Sequence, residues 1–277
     1  NQPTINKDDV SRATQTVNNT KVALDGDHRL EEAQNTANQT ITNLTNLNNA
    51  QKTAEKQLVN QSPTLEQVQQ NLQTAQDLDR AMGALRQSIA NQDQVKSESK
   101  YLNEDPTVKA NYDQAVQRAE DIINATQNPE LNKGTIEQAT QAVQNAEQAL
   151  HGVEKLNQDK TTASKELNNL TNLTDAQREK LKELINHSDS RDDIKQELEQ
   201  AKQLNNAMEQ LKNQVALKDS VHSSSNYFNE DSAQKQAYDD AIKHAEDIIK
   251  NTNNPNINPR DIIKALNNIK TATDNLH

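Results

Sequence analysis

A repeat of 126 residues runs through the whole chain without insertions or deletions. Tyr101-Leu102-Asn103-Glu104-Asp105 returns as Tyr227-Phe228-Asn229-Glu230-Asp231, and the segment Asn43-Leu44-Thr45-Asn46-Leu47 returns as Asn169-Leu170-Thr171-Asn172-Leu173. An offset without gaps means that every loop length is fixed. Such fixed loops are expected when each structural unit must pack against its neighbours in the same way.

The repeat divides the chain into one partial copy and two full copies. Residues 1–25 match the end of a copy, because Pro3 and Leu24 fall one period before Pro129 and Leu150. We interpret them as the C-terminal helix of a preceding repeat, and the chain as a fragment of a longer array. The first full copy is 26–151, with bundles expected at about 26–78 and about 79–151. The second full copy is 152–277, with the corresponding bundles expected at about 152–204 and about 205–277.

The composition favours several small helical cores over one large core. Apolar residues make up 31% of the chain and aromatic residues 2%, with no Trp and one Phe. Helix-forming residues are plentiful, whereas Gly and Pro, with 4 and 6 residues, are rare. The chain is therefore predicted to be all-α rather than disordered.

Apolar residues recur at helical spacing in the middle of each copy. The first stripe consists of Val68, Leu72, Ala75, Leu78, Met82, Leu85 and Ile89, and the second copy repeats it from Ile194 to Val215. This spacing predicts a helix at about 65–95, roughly 45 Å long. Another long helix is expected from 133 to about 170, because a lone Gly152 is a weak interruption. We expect tandem three-helix bundles that share these long connecting helices and form an elongated rod.

Residues that favour helix ends separate the remaining helices. Thr174 precedes Gln177 by three residues, which is a capping-box pattern for a helix N-terminus. Breaker-rich segments at 103–106 and 124–132 bracket another helix.

The helix expected at 1–24 has no packing partners within the chain. Its apolar residues Val10, Val17 and Leu24 are therefore expected to be exposed or the helix to be frayed.

No catalytic, cofactor-binding or metal-binding residue is predicted, and the chain is not expected to be an enzyme. The six histidines are interpreted as solvated surface residues: His28, His151, His187, His222, His244 and His277. Asp25-Gly26-Asp27 lacks the ligand spacing and closing Glu of a calcium loop. The recurring tyrosines are attributed to core packing rather than to ligand stacking: Tyr101, Tyr112, Tyr227 and Tyr238.

Charge and hydropathy exclude two classes of partner. The net charge of −11 argues against nucleic acid, whose phosphates are bound by clustered Lys and Arg. No apolar run approaches the ~20 residues of a membrane span, so this segment is not expected to contact a membrane.

Two stretches of each copy resemble known helical modules. The stretch from Leu30 to about Met82 resembles the GA module, a three-helix unit of bacterial surface proteins. The stretch containing Tyr112, Ala115, Ala119 and Ile122, followed by Asn128-Pro129 and continuing to Leu150, resembles the FIVAR module. In each full copy the first expected bundle is therefore GA-like and the second is FIVAR-like. Their alternation at this period is similar to the giant staphylococcal matrix-binding surface proteins.

The resemblance implies a cell-surface location and adhesion to host extracellular matrix, with fibronectin as the usual ligand. Albumin binding carries over poorly, because residues 44–52 contain no aromatic side chain where albumin-binding GA modules have them. Two interpretations stay open. The segment is a mechanical spacer that contacts neighbouring repeats, or it is a dedicated adhesive module with its own ligand surface.

Overall fold

The computed structural model describes residues 6–277, and these residues form fourteen helices and no strands. The all-α prediction is confirmed. The helices are α1 Lys7–Thr42, α2 Asn49–Asn60, α3 Leu65–Ala90, α4 Gln92–Ser97, α5 Ser99–Leu102, α6 Pro106–Asn124, α7 Lys133–Gln148, α8 Gly152–Asn168, α9 Asp175–Asn186, α10 Arg191–Ala216, α11 Lys218–His222, α12 Ser225–Phe228, α13 Ser232–Lys250 and α14 Pro259–Asp274.

The helices pack into two compact units. The first unit contains the described residues up to Ser97 together with Asp105–Leu150, and the second contains Glu98–Glu104 together with His151–His277. Each unit holds two three-helix bundles. In the first unit these are α1, α2 and α3, then α3, α6 and α7; in the second they are α8, α9 and α10, then α10, α13 and α14. The prediction that a long middle helix belongs to two bundles is confirmed for α3 and α10.

The apolar stripe predicted for the middle helix is the buried face of α3. Ala75, Leu78, Met82 and Leu85 are fully buried, and Leu204 and its neighbours repeat this on α10. In the second unit, buried residues from Leu156 to Leu276 form one continuous hydrophobic cluster. The two bundles of that unit therefore have a common core.

The long helix predicted from 133 to about 170 is wrong. Helix α7 ends at Gln148, the chain leaves the helical path at residues 149–151, and α8 begins at Gly152. The N-cap residue His151 has φ −123° and ψ 35°. The matching positions one period earlier lie inside α1, which runs unbroken from Lys7 to Thr42. The local sequence therefore permits both forms, and a tertiary contact at Gly152 (described below) selects between them.

The first half of α1 has the exposure expected of a helix without partners. Val10, Val17 and Leu24 are 51%, 66% and 63% exposed. The helix continues without fraying through these residues into the first bundle. The correspondence of Pro3 with Pro129 lies outside the described residues.

The capping box predicted at Thr174 is confirmed, and it has a second role. The Thr174 hydroxyl accepts from the N–H of Gln177 at 3.1 Å, and the Gln177 side-chain oxygen accepts from the N–H of Thr174 at 3.0 Å. The amide nitrogen of Gln177 then donates to the carbonyl of Asn256 at 2.9 Å. Gln51 makes the equivalent bond to the carbonyl of Glu130. One buried amide thus caps a helix and ties the loop before the last helix of each unit.

The repeated Asn-Leu-Thr-Asn-Leu segment is a loop held by the middle helix. Asp79 on α3 accepts hydrogen bonds from the backbone N–H groups of Asn46 and Leu47 at 2.9 and 3.2 Å. In the second copy Asn205 accepts from the N–H of Asn172 at 2.9 Å. The loop keeps its length because its backbone donors are satisfied by one fixed side chain.

The first bundle contains an ionisable group where the second copy has an apolar one. Glu55 on α2 is 1% exposed, and neither carboxyl oxygen has a hydrogen-bond partner among the described residues. Its equivalent is Leu181, a fully buried core residue. Burial disfavours the charged form and raises the pKa of Glu55 from its ordinary 4.5 to about 7.

We predict that this carboxyl makes the first unit less stable at neutral pH than in acid. Below pH 4.5 both states are protonated, so no ionisation cost exists. Between pH 4.5 and 7 the unfolded chain loses a proton that the folded chain keeps, so stability falls as pH rises and levels off above pH 7. The full loss is on the order of 3 kcal/mol. Denaturant unfolding of the first unit measured across pH 4–8 tests this.

Matched substitutions exploit the repeat. Glu55→Leu is expected to stabilise the first unit at pH 7 and to flatten its pH profile, since the second copy already accommodates Leu at this position. Leu181→Glu should transfer the pH dependence to the second unit. A pH profile of the first unit that is unchanged by Glu55→Leu would contradict the assignment.

Candidate functional site

The residues that the sequence marked as possible ligands do not converge on a site. In the described range 6–277, no group of three His, Asp or Glu side chains is close enough to hold a metal ion. Asp25 and Asp27 lie within the continuous helix α1. Tyr112 and Tyr238 are fully buried, as predicted for core packing, whereas Tyr101 and Tyr227 are half-buried.

One histidine departs from the solvated interpretation. The Nε2 atom of His222 lies 2.7 Å from a carboxylate oxygen of Asp239, and the hydroxyl of Tyr227 donates to the other oxygen at 2.8 Å. In the first copy Lys96 pairs with Asp113 at 3.8 Å. Both copies therefore have a basic group opposite an aspartate at this position. This contact ties α11 to α13.

Residues 98–104, which we call the docking segment, make several buried polar contacts. These residues include α5 and belong to the first copy in sequence, yet they pack in the second unit against α8. Within the segment Asn103 and Glu104 are each 4% exposed, which is unusual for polar residues. Buried polar groups of this kind need partners, and both have them.

Asn103 binds the start of α10 through backbone groups. Its amide nitrogen donates to the carbonyl of Asp189 at 2.9 Å, and its amide oxygen accepts from the N–H of Arg191 at 3.0 Å. The Arg191 guanidinium also donates to the carbonyl of Asn103 at 3.2 Å and to Asp159 at 2.7 Å. The side chain therefore satisfies a free N–H in the first turn of α10.

Glu104 binds the start of α8. Its carboxylate accepts from the backbone N–H of His151 at 2.6 Å and forms an ion pair with Lys155. A carboxylate at a helix N-terminus also interacts favourably with the helix dipole. Glu104 thus caps a helix that belongs to the next copy of the repeat.

Gly152 allows the docking segment to approach the backbone of α8. A Cβ atom at this position would lie 2.6 Å from the carbonyl oxygen of Lys100 and closer still to that of Ser99. No side chain fits without moving the segment. At the equivalent Gly26, a Cβ would meet no atom within 4 Å.

These contacts explain why the predicted helix from 133 to about 170 is broken. Glu104 takes the N–H of His151 out of the helical ladder, and the backbone of the docking segment occupies the space beside Gly152. At Leu24–Gly26 a Cβ on Gly26 would meet no described atom within 4 Å, and the helix is continuous. The recurring motif at residues 101–105 and the lone Gly152 are both visible in the sequence, but nothing in the sequence connects them.

Comparison with known families agrees with this architecture. The FIVAR domain model matches residues 81–151 and 207–277, and the GA module model matches residues 27–81 and 153–207. The chain belongs to the family of FIVAR-domain and GA-module repeats. The docking segment lies inside the first FIVAR domain, and Gly152, Lys155 and Arg191 lie at or within the second GA module.

Several relatives with the same modules are similar along the whole chain. Extracellular matrix-binding protein EbhA of Staphylococcus aureus strain Newman is 43% identical over 274 residues, covering 99% of this chain and 8% of the relative. The protein ebh of strain USA300 / TCH1516 is also 43% identical over 274 residues, covering 99% of this chain and 3% of the relative. The chain therefore spans less than a tenth of these relatives.

A solved structure from Staphylococcus aureus has a similar fold. The crystal structure of EbhA residues 756–1003 from Staphylococcus aureus matches with a TM-score of 0.63 and 30% identity, covering 70% of this chain and 77% of that one. Among the helices described for the present chain, none has the length and apolar character needed to cross a membrane.

The two glycines that precede the GA modules give a matched test of the docking contact. We predict that Gly152→Ala destabilises the second unit by about 1–3 kcal/mol, because the new methyl group overpacks the backbone of residues 99–103. Gly26→Ala should stabilise α1 by about 0.5–1 kcal/mol, since alanine is the better residue in a solvated helix. Urea unfolding of both variants, followed separately for the two units, measures the difference. Equal effects of the two substitutions would refute the close approach.

Proposed function

We propose that this chain is a structural and adhesive repeat segment of a giant bacterial cell-surface protein. In this role it acts mainly as a spacer, projecting from or bracing the cell envelope. The observation that carries the proposal is the docking segment, by which residues of one repeat complete the packing of the next. Such a segment serves an array of linked repeats and has no evident use in catalysis.

The names of the relatives support the extracellular setting. Proteins that are 43% identical over 274 residues are called extracellular matrix-binding proteins of Staphylococcus aureus. For this chain, contact with host matrix and a location outside the cell are proposals. Fibronectin is the first ligand to test, and albumin is the less favoured one because the aromatic residues of albumin-binding GA modules are missing.

The spacer role is supported by the character of the surface. Large exposed apolar side chains are scattered, and few recur at equivalent positions of the two copies. A dedicated binding site would present a contiguous apolar patch in each copy. Weak contacts repeated along many copies still give adhesion through avidity.

One observation favours the alternative of a dedicated adhesin module. Leu102 and Phe228 occupy equivalent positions and are 55% and 72% exposed. Each lies next to a half-buried tyrosine, and Lys235 lies over the rings of both Tyr227 and Phe228, 5.6 and 6.0 Å from their centroids. Exposed aromatic groups beside a cation are suited to protein recognition.

Binding to immobilised fibronectin separates the two roles. The spacer role predicts weak binding without saturation in the submicromolar range, and no change in the double variant Leu102→Ser/Phe228→Ser. The double variant Leu58→Ser/Leu184→Ser is the control, because these equivalent residues are each 41% exposed. Saturable submicromolar binding that only the first double variant abolishes would establish the adhesin module instead. Albumin serves as a second immobilised ligand.

The elongated rod expected from the sequence is part of the proposal, and solution scattering tests it. A compact protein of this length has a radius of gyration of about 19 Å. We expect a clearly larger value for the spacer. A value near the compact one would exclude the rod while leaving the matrix-binding experiment unaffected.

A further inference from the structure

The first copy carries an unoccupied equivalent of the place where the docking segment binds in the second unit. The residues that receive the segment are His151, Gly152, Lys155 and the backbone at Asp189 and Arg191. One period earlier the same positions are Asp25, Gly26, Arg29, Pro63 and Leu65. Gly26 therefore matches Gly152, where the contact needs the absence of a side chain. Arg29 matches Lys155, where the contact uses a basic side chain.

The structure leaves this face of the first copy open. A Cβ on Gly26 would meet nothing within 4 Å, and Leu65 is 48% exposed. A cleft beside it is lined by Arg29, Glu32, Ala33, Thr36, Leu65 and Leu72. Leu65 is the first residue of α3, so its N–H has no partner within the helix. In the second unit the corresponding N–H, that of Arg191, is bound by Asn103.

We propose that the face formed by Gly26, Arg29, Ala33 and Leu65 docks the Tyr-Leu-Asn-Glu segment of a preceding repeat. The Asn side chain of that segment binds the backbone at Pro63 and Leu65, and its Glu pairs with Arg29 and caps the N–H of Asp25. This deepens the proposed spacer function, on which it rests, by naming the contact between consecutive repeats.

The other end of the chain carries the complementary half of the contact. Residues 224–230 repeat the docking segment, and the Glu230 carboxylate accepts from the N–H of His277, as Glu104 does from His151. Asn229 is exposed, whereas its equivalent Asn103 is 4% exposed. The Glu230 half of the contact is therefore formed with the residue equivalent to His151, whereas the Asn229 half is not formed.

Docking has a structural consequence for α1. The Asp25 N–H belongs to the helical ladder of α1, so a carboxylate can cap it only if the helix breaks there. The chain takes that form at Leu150–His151, where the segment is bound. The proposal therefore includes a change at Leu24–Gly26 from continuous helix to a capped break.

A lengthened chain tests the proposal with the existing sequence. Residues 1–150 are joined directly to residues 25–277, which places a complete added copy in front of Asp25 and Gly26. Gly26→Ala is then introduced at the recipient position of the lengthened chain and, separately, into the original chain. The added copy also carries Gln70→Arg at an exposed position, so that its peptide differs in mass from the otherwise identical residues 65–72 of the recipient copy. Hydrogen exchange of the recipient peptide covering residues 65–72, read by mass spectrometry, reports on local opening at the docking face.

Gly26→Ala is expected to have opposite effects on hydrogen exchange in the original and the lengthened chain. In the original chain Gly26→Ala leaves exchange of residues 65–72 unchanged or slower. In the lengthened chain it should accelerate that exchange by about tenfold, because the methyl group now meets the docked segment. Asn103→Ala/Glu104→Ala in the added copy should remove this acceleration, whereas the same pair of changes in the later copy should leave it.

A Gly26→Ala effect that is the same in both chains would overturn the proposal. Gly152→Ala in the lengthened chain is the positive control, read on residues 191–198, where the segment is already bound. Scattering and fibronectin binding are measured on the original chain, so failure of the spacer function is seen independently of this result.

Discussion

The stability of each unit depends on a middle helix that is buried by two bundles at once. A chain with 31% apolar residues and almost no aromatic ones cannot give a separate large core to each small bundle. Helix α10 resolves this, because its stripe packs against α8 and α9 at one end and against α13 and α14 at the other. The result is one continuous cluster of buried residues from Leu156 to Leu276. Gln177 adds a polar link between the two bundles by binding the carbonyl of Asn256.

The features that were predictable from the sequence are those determined by local spacing. The stripe of α3 and the capping box at Thr174 depend on residues within one helix, and both are confirmed. The break at residues 149–151 was not predictable in this way. Leu24-Asp25-Gly26 and Leu150-His151-Gly152 are nearly the same tripeptide, yet the first is helical and the second is not. The deciding contact comes from Glu104, 47 residues earlier in the chain than His151.

The buried Glu55 and the His222–Asp239 pair can be recognised in the sequence only when the two copies are compared. Glu55 aligns with Leu181, so a carboxyl at a core position could have been recognised once the stripe of α2 was assigned. The pairing of His222 with Asp239 has the same origin, because Lys96 and Asp113 provide a basic and an acidic residue at the equivalent positions. His222 and Asp239 are 17 residues apart and lie on different helices, so helical spacing alone does not place them together.

The docking contact depends mostly on backbone groups of the recipient, so the side chains of the repeats can differ while the contact is kept. Asn103 binds the backbone of residues 189 and 191, and Glu104 binds the backbone N–H of His151. Backbone groups are present whatever side chain a copy carries, except where proline removes an N–H. The side-chain requirements reduce to an Asn-Glu pair, a glycine and a basic residue. The Arg191 side chain adds a bond to the Asn103 carbonyl in this copy, but its equivalent is Leu65, so copies with different side chains at this face offer the same backbone groups.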